Sequence, residues 1–104
     1  MLSIEEFRCL NSSSNMVITQ HGRKRMMERG VYLADIVNAI ETGEIIEHYP
    51  DDFPFPSALI LGTTKNFRQL HVVASLNDNL IYLITAYYPD EDNWETDMKT
   101  RKDG

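Results

Sequence analysis

Residues 68–76 (RQLHVVASL), 77–79 (NDN) and 80–88 (LIYLITAYY) decide the fold. Both long runs are rich in branched and aromatic residues and are bounded by polar residues, which is the pattern of strands. Asn77, Asp78 and Asn79 tolerate the left-handed backbone of a tight turn, so the runs close into an antiparallel hairpin. Pro89 lacks the amide a ladder needs and stops the second strand. Counting outward from the turn sets His71 opposite residues 85–87. Thr85 and Tyr87 are two apart and project from one face. An imidazole, a hydroxyl and a phenol therefore converge there, either as a site or as the bonded histidine and half-buried tyrosine common in small sheets.

Working upstream, residues 57–63 (SALILGT) and 44–49 (EIIEHY) read as two more strands, with 64–67 a turn. Residues 51–56 (DDFPFP) hold two prolines and must be irregular or an edge. Before residue 44 the period is helical. Leu33, Ile36, Val37 and Ile40 share a face of a helix over 33–42 closed by Gly43. Thr19 caps a helix over 20–29 that ends at Gly30. Residues 4–10 (IEEFRCL) form a short helix with Ile4 and Phe7 inward, and 11–15 (NSSSN) a polar loop. Residues 90–104 form an acidic and then basic tail holding Trp94, read as one helical turn or a loose arm. The expectation is one α+β domain over residues 1–104, with its core at about 17–102. Two to three N-terminal helices pack on a four-stranded antiparallel sheet.

The composition bounds the function. The chain has 104 residues, 42% hydrophobic and 25% charged, which suits one folded domain. Cys9 stands alone, so no intrachain disulfide or multi-cysteine metal site can form, which fits a cytoplasmic location. No stretch approaches the ~18 apolar residues of a membrane helix. The net charge of −6 repels phosphate at long range, yet Arg23, Lys24, Arg25 and Arg29 cluster apart from the acids at 35–52 and 90–97. A local basic site on an acidic body, or an acidic surface for a basic partner, both follow.

His21, Arg25 and Arg29 are spaced by four and form a stripe on one helix face. Guanidiniums grip phosphate and histidine moves protons near neutral pH, so the stripe suits anionic substrates. A solvated face with its arginines paired to Glu28 or the acidic strands is the commoner outcome for each residue alone. His21, His48 and His71 lack zinc-ligand spacing, and no cofactor loop or nucleophile elbow is present. Cys9 reads as a small apolar residue beside the first helix.

The order His21, Arg25-Met26, Glu28-Arg29-Gly30, Asp35-Ile36, GEIIE at 43–47, Tyr49, Asp52, Pro54, Pro56-Ser57, LHVV at 70–73, Thr85, Tyr87, Pro89-Asp90, Trp94 and Arg101 resembles the DUF4258 family over about residues 17–102. Tyr32 stands where that pattern leads one to expect a helix-capping serine. The family is similar to RelE- and MqsR-like toxins, small bacterial cytoplasmic ribonucleases often encoded beside a zinc-finger or helix-turn-helix antitoxin. The resemblance implies RNA cleavage without metal or cofactor, by attack of a 2′-OH on the adjacent phosphate. His71 would be general base or acid with Tyr87 as partner, His21 a second acid/base, and Thr85 a support. Arg25, Arg29 and Arg101 would hold phosphate. The alternative is a non-catalytic module of toxin-like fold that binds a basic protein such as an antitoxin. An exposed sheet edge could pair with an antitoxin tail or a second copy, giving a homodimer.

Overall fold

The computed structural model describes residues 1–102. Helix α1 (Ile4–Cys9), a 3-10 turn at Ser13–Asn15, strand β1 (Met16–Ile18) and helices α2 (Gln20–Arg29) and α3 (Leu33–Thr42) come first. Strands β2 (Glu44–Tyr49), β3 (Ser57–Thr63), β4 (Gln69–Asn77) and β5 (Leu80–Tyr87) follow. The class is α+β, but among the described residues the sheet has five strands in the order β1-β5-β4-β3-β2. The expected four-stranded antiparallel meander is therefore corrected. β2 to β5 form it, and β1 adds to the outer edge of β5 in parallel, with Val17 opposite Tyr82. Three residues between a polar turn and a helix cap carry no periodic signal, and only a distant strand completes them.

Local chemistry sets the helices. Ser3 and Glu6 form a reciprocal capping box at α1, and Thr19 Oγ1 accepts from Gly22 N at 2.9 Å to start α2. Gly30 ends α2 at φ 68°, a left-handed conformation that glycine adopts without strain. Helix α3 begins at Leu33 although Tyr32 provides no side-chain cap. Asp35 substitutes by accepting from Tyr32 N at 3.1 Å.

The helices cover one sheet face. Met26, Ile36, Ala39 and Ile40 pack on Ala58, Ile60, Leu70, Val72, Ala74, Ile81 and Ala86, with Phe7 of α1 completing the core. The approach of α3 to β3 is close. A β-carbon on Gly62 would run into the backbone of Ala39. Residues between those core positions point to the other face, where Leu59, Leu61 and Trp94 are buried outside the helix-side core. This reverse face has its own cover, made by residues 90–102 over His71 and by the loop carrying Phe55 beside Tyr82.

Candidate functional site

His71 and Tyr87 are direct partners across β4 and β5, and Val73 pairs with Thr85 two residues along. The bulge between these pairs and Ala74–Leu83 leaves Ile84 as the extra residue of β5, and it is 47% exposed. His71 is fully buried on the reverse face. Its Nδ1 lies 3.3 Å from Tyr87 Oη and its Nε2 lies 2.7 Å from the Met98 carbonyl. A carbonyl only accepts, so Nε2 carries the proton and Nδ1 accepts from the Tyr87 hydroxyl. Trp94 stands edge-on at 4.5 Å from the imidazole and closes the site from above.

Burial pushes His71 below the ordinary histidine value, with Arg101 adding to it and the Met98 carbonyl and Glu47 opposing. The imidazole is therefore neutral at neutral pH. Burial also raises Tyr87, so the phenol keeps its proton. The charged rim lies beside this pair. Arg101 grips Glu47 in a two-pronged ion pair at 2.9 and 3.1 Å, and its guanidinium lies over the Trp94 ring at 4.6 Å. Burial works to raise Glu47, but hydrogen bonds from Arg101 and Tyr49 outweigh it and hold the carboxylate low. The same pairing raises Arg101. Lys99 bonds Glu44 at 2.8 Å, pinning the C-terminal segment to β2 a second time.

The helix stripe is only partly joined to this site. β1 ends at Ile18 beside Leu83, so β5 has no strand partner on that side beyond it. Arg29 fills the gap, donating through Nη1 to Thr85 Oγ1 and the Ala86 carbonyl, both at 3.0 Å. It lies near enough to Tyr87 to act on its charge. His21 and Arg25 are exposed on α2 and make no side-chain hydrogen bond or ion pair among the described residues. The pairings of Arg25 and Arg29 with acids considered from sequence are absent there too. Gly22 and Met26 turn inward on the adjacent face. The structure thus gathers His71, Tyr87 and Arg101, tethers Arg29 through Thr85, and leaves His21 and Arg25 apart.

Three participants carried little sequence signal. Glu47, Tyr49 and the Met98 carbonyl join the site only because residues 90–102 fold back over the sheet, where a loose arm or a helical turn was expected. Trp94 was the one clue, since a lone tryptophan in a polar tail has apolar area to bury. Cys9 is exposed, not a packed apolar residue. Among the described residues no three His, Cys, Asp or Glu side chains come together as metal ligands. An open groove of about 640 Å³ lies away from His71, lined by Asn11, Leu33, Val37 and Lys65 among others. Among the described residues no helix is long and apolar enough to cross a membrane.

The profile of a family described as a domain of unknown function (DUF4258) matches residues 18–88, well over half of the chain. The chain belongs to this family. The match takes in α2, α3 and β2 to β5, hence His71, Tyr87, Thr85 and the helix stripe, and stops before Trp94 and Arg101. This DUF4258 chain has no match among curated proteins and none among solved structures.

Proposed function

We propose that this protein is a metal-independent endoribonuclease of the toxin–antitoxin type, with a RelE-like arrangement of helices behind the sheet and chemistry on its reverse face. The observation carrying this is the His71–Tyr87 contact at 3.3 Å, a neutral imidazole and a protonated phenol beside Arg101. Cleavage requires a base for the 2′-OH, an acid for the leaving 5′-oxygen and a cation on the phosphate. With Met98 withdrawn, the His71 proton sits on Nδ1 facing Tyr87 and Nε2 is free to accept the 2′-OH proton. The 2′-oxygen attacks phosphorus, the bond to the 5′-oxygen breaks, and Tyr87 protonates the departing oxygen. Tyr87 then recovers a proton from Nδ1. The products are a 2′,3′-cyclic phosphate and a 5′-hydroxyl end. Arg101, released from Glu47, supplies charge to the phosphate, and Arg29 adds to it from the β5 edge. His21 and Arg25 would act only on a more distant phosphate, since neither touches the pair. Cleavage of RNA in EDTA, lost in His71→Ala with the fold retained, is the expected result. Cleavage that survives both His71→Ala and His21→Ala overturns the assignment.

A second reading is favoured by the closure itself. Both ring nitrogens of His71 are bonded and its face is covered, which is how a structural histidine is kept. On that reading the protein is a non-catalytic module whose acidic surface binds a basic partner such as a zinc-finger or helix-turn-helix antitoxin. A tight stoichiometric complex with such a protein, and no cleavage by the free chain, selects it.

A further inference from the structure

Three separate segments meet at the end of the molecule where α2 passes into α3. Tyr88, just past β5, donates its hydroxyl to the Gly30 carbonyl at 3.3 Å. Arg68, from the β3–β4 turn, lays its guanidinium on the Tyr88 ring at 3.6 Å. Lys65 of that turn shares a groove with Leu33, the neighbour of Tyr32. Two aromatic side chains stand out into solvent here, Phe67 at 88% exposure and Tyr32 at 72%. Phe67 is also held at φ 65°, where an L side chain is strained, at the tip of the turn. The strain presents an apolar ring to water and buries nothing.

The charge at this end is equally unspent. The ion pairs among the described residues use Lys99 and Arg101 only, leaving Arg29, Lys65 and Arg68 without a carboxylate partner there. Among the described residues the Arg29 side chain bonds through Nη1 alone. We infer that this end, built from Arg29, Lys65, Arg68, Phe67 and Tyr32, binds single-stranded nucleic acid. The cations take phosphates, and the two open rings take unpaired bases. Stacking needs exposed base faces, which a duplex withholds. An acidic protein partner would be served by the cations but would give the exposed rings nothing to stack on. The inference rests on the ribonuclease reading and deepens it by naming unpaired RNA as the substrate and this end as its entry. Tyr88 packs on the helix side and Tyr87 beside His71 on the reverse face, so a strand seated here must cross the end of the sheet to reach His71.

The probe is a fluorescently labelled twelve-nucleotide single-stranded RNA of mixed sequence, followed by anisotropy with the catalytically silenced His71→Ala chain and the unaltered chain. Binding should be at least about tenfold tighter than to the matching duplex. Phe67→Ala and Tyr32→Ala should each weaken it roughly five- to tenfold, the lower part of the range for losing one stacked base. Lys65→Glu with Arg68→Glu should weaken it more than tenfold, and three phosphate contacts give a log–log salt slope of about −2. Circular dichroism confirms folding of each variant. Equal binding of duplex and single strand, or indifference to Phe67→Ala and Tyr32→Ala, overturns the inference. So does displacement of the RNA by an equal concentration of polyglutamate, which points to an acidic protein instead. Binding without cleavage supports this site and removes only the ribonuclease reading. Cleavage with unchanged KM in the Lys65/Arg68 variant removes only this site.

Discussion

Tyr87 Oη and His71 Nδ1 face each other at 3.3 Å across the β4–β5 ladder, and the phenol donates to the nitrogen that the Met98 carbonyl leaves unprotonated. With Nε2 held by the Met98 carbonyl, the ring is locked as the Nε2–H tautomer. Tyr87→Phe removes the donor and leaves a buried acceptor without a partner. The expected loss is about 1–2 kcal/mol of stability. In nitrogen NMR the His71 Nδ1 signal should move toward that of an unbonded imine nitrogen. An unchanged Nδ1 signal would mean that the phenol does not donate there.

The burial of neutral His71 has a pH consequence whose sign is fixed. Its folded-state pKa lies below the ordinary 6.5, so the unfolded chain binds the extra proton first as pH falls. Stability from this group is complete above about 6.5 and declines below it, until the folded pKa is reached. Glu47, also lowered, adds a second decline below its ordinary 4.5. Urea midpoints should therefore drop between pH 7.5 and 5.5 in the unaltered chain, and less so in His71→Gln. Parallel curves for the two proteins would show that His71 titrates normally in the fold.

Much of the architecture could be read from residue patterns, and the parts that could not share one cause. The α2 and α3 boundaries follow from Thr19, Gly30 and a 3.6 period, and the β4–β5 hairpin from its Asn-Asp-Asn turn, which puts Asp78 and Asn79 at positive φ. Counting from that turn put His71 opposite residues 85–87, and the bulge at Ile84, which the pattern did not show, makes Tyr87 the partner. β1 is a different case, because Met16–Ile18 becomes a strand only through parallel pairing with residues more than sixty positions away. The lid over His71 is likewise non-local. Nothing in residues 90–102 announces that Trp94 will sit on His71 or that Arg101 will find Glu47. The helix stripe shows the converse error. Spacing put His21, Arg25 and Arg29 on one face, but only Arg29 lies where β5 lacks a neighbour.

Arg29 substitutes for the missing strand at the β5 edge, and its removal should expose that role. Arg29→Met keeps the aliphatic length but leaves the Ala86 carbonyl and Thr85 hydroxyl without their donor. Because water reaches this edge, the cost should be about 1 kcal/mol and not the several expected for a sealed site. Amide exchange at the C-terminal half of β5 should accelerate while that of β3 stays unchanged. A uniform acceleration across the sheet would argue that Arg29 supports the whole fold and not this edge.

Trp94 and Arg101 hold the same segment over His71 by means of very different strength. Trp94 is 3% exposed and packs edge-on against the imidazole, so Trp94→Ala removes a large buried ring and should cost about 3–5 kcal/mol. Arg101 is 57% exposed, and its pair with Glu47 sits in water-screened surroundings, so Arg101→Ala should cost at most about 1 kcal/mol. The Lys99–Glu44 pair is weaker still for the same reason. Sodium chloride at 1 M should accordingly change stability little. Near-ultraviolet circular dichroism and tryptophan emission report the ring directly, and emission should stay blue-shifted in Arg101→Ala. A red shift in that variant comparable to solvent-exposed tryptophan would show that the ion pair, not the ring, keeps the segment down. Covering His71 would then depend on salt and charge, and any partner that competes for Arg101 could open the site.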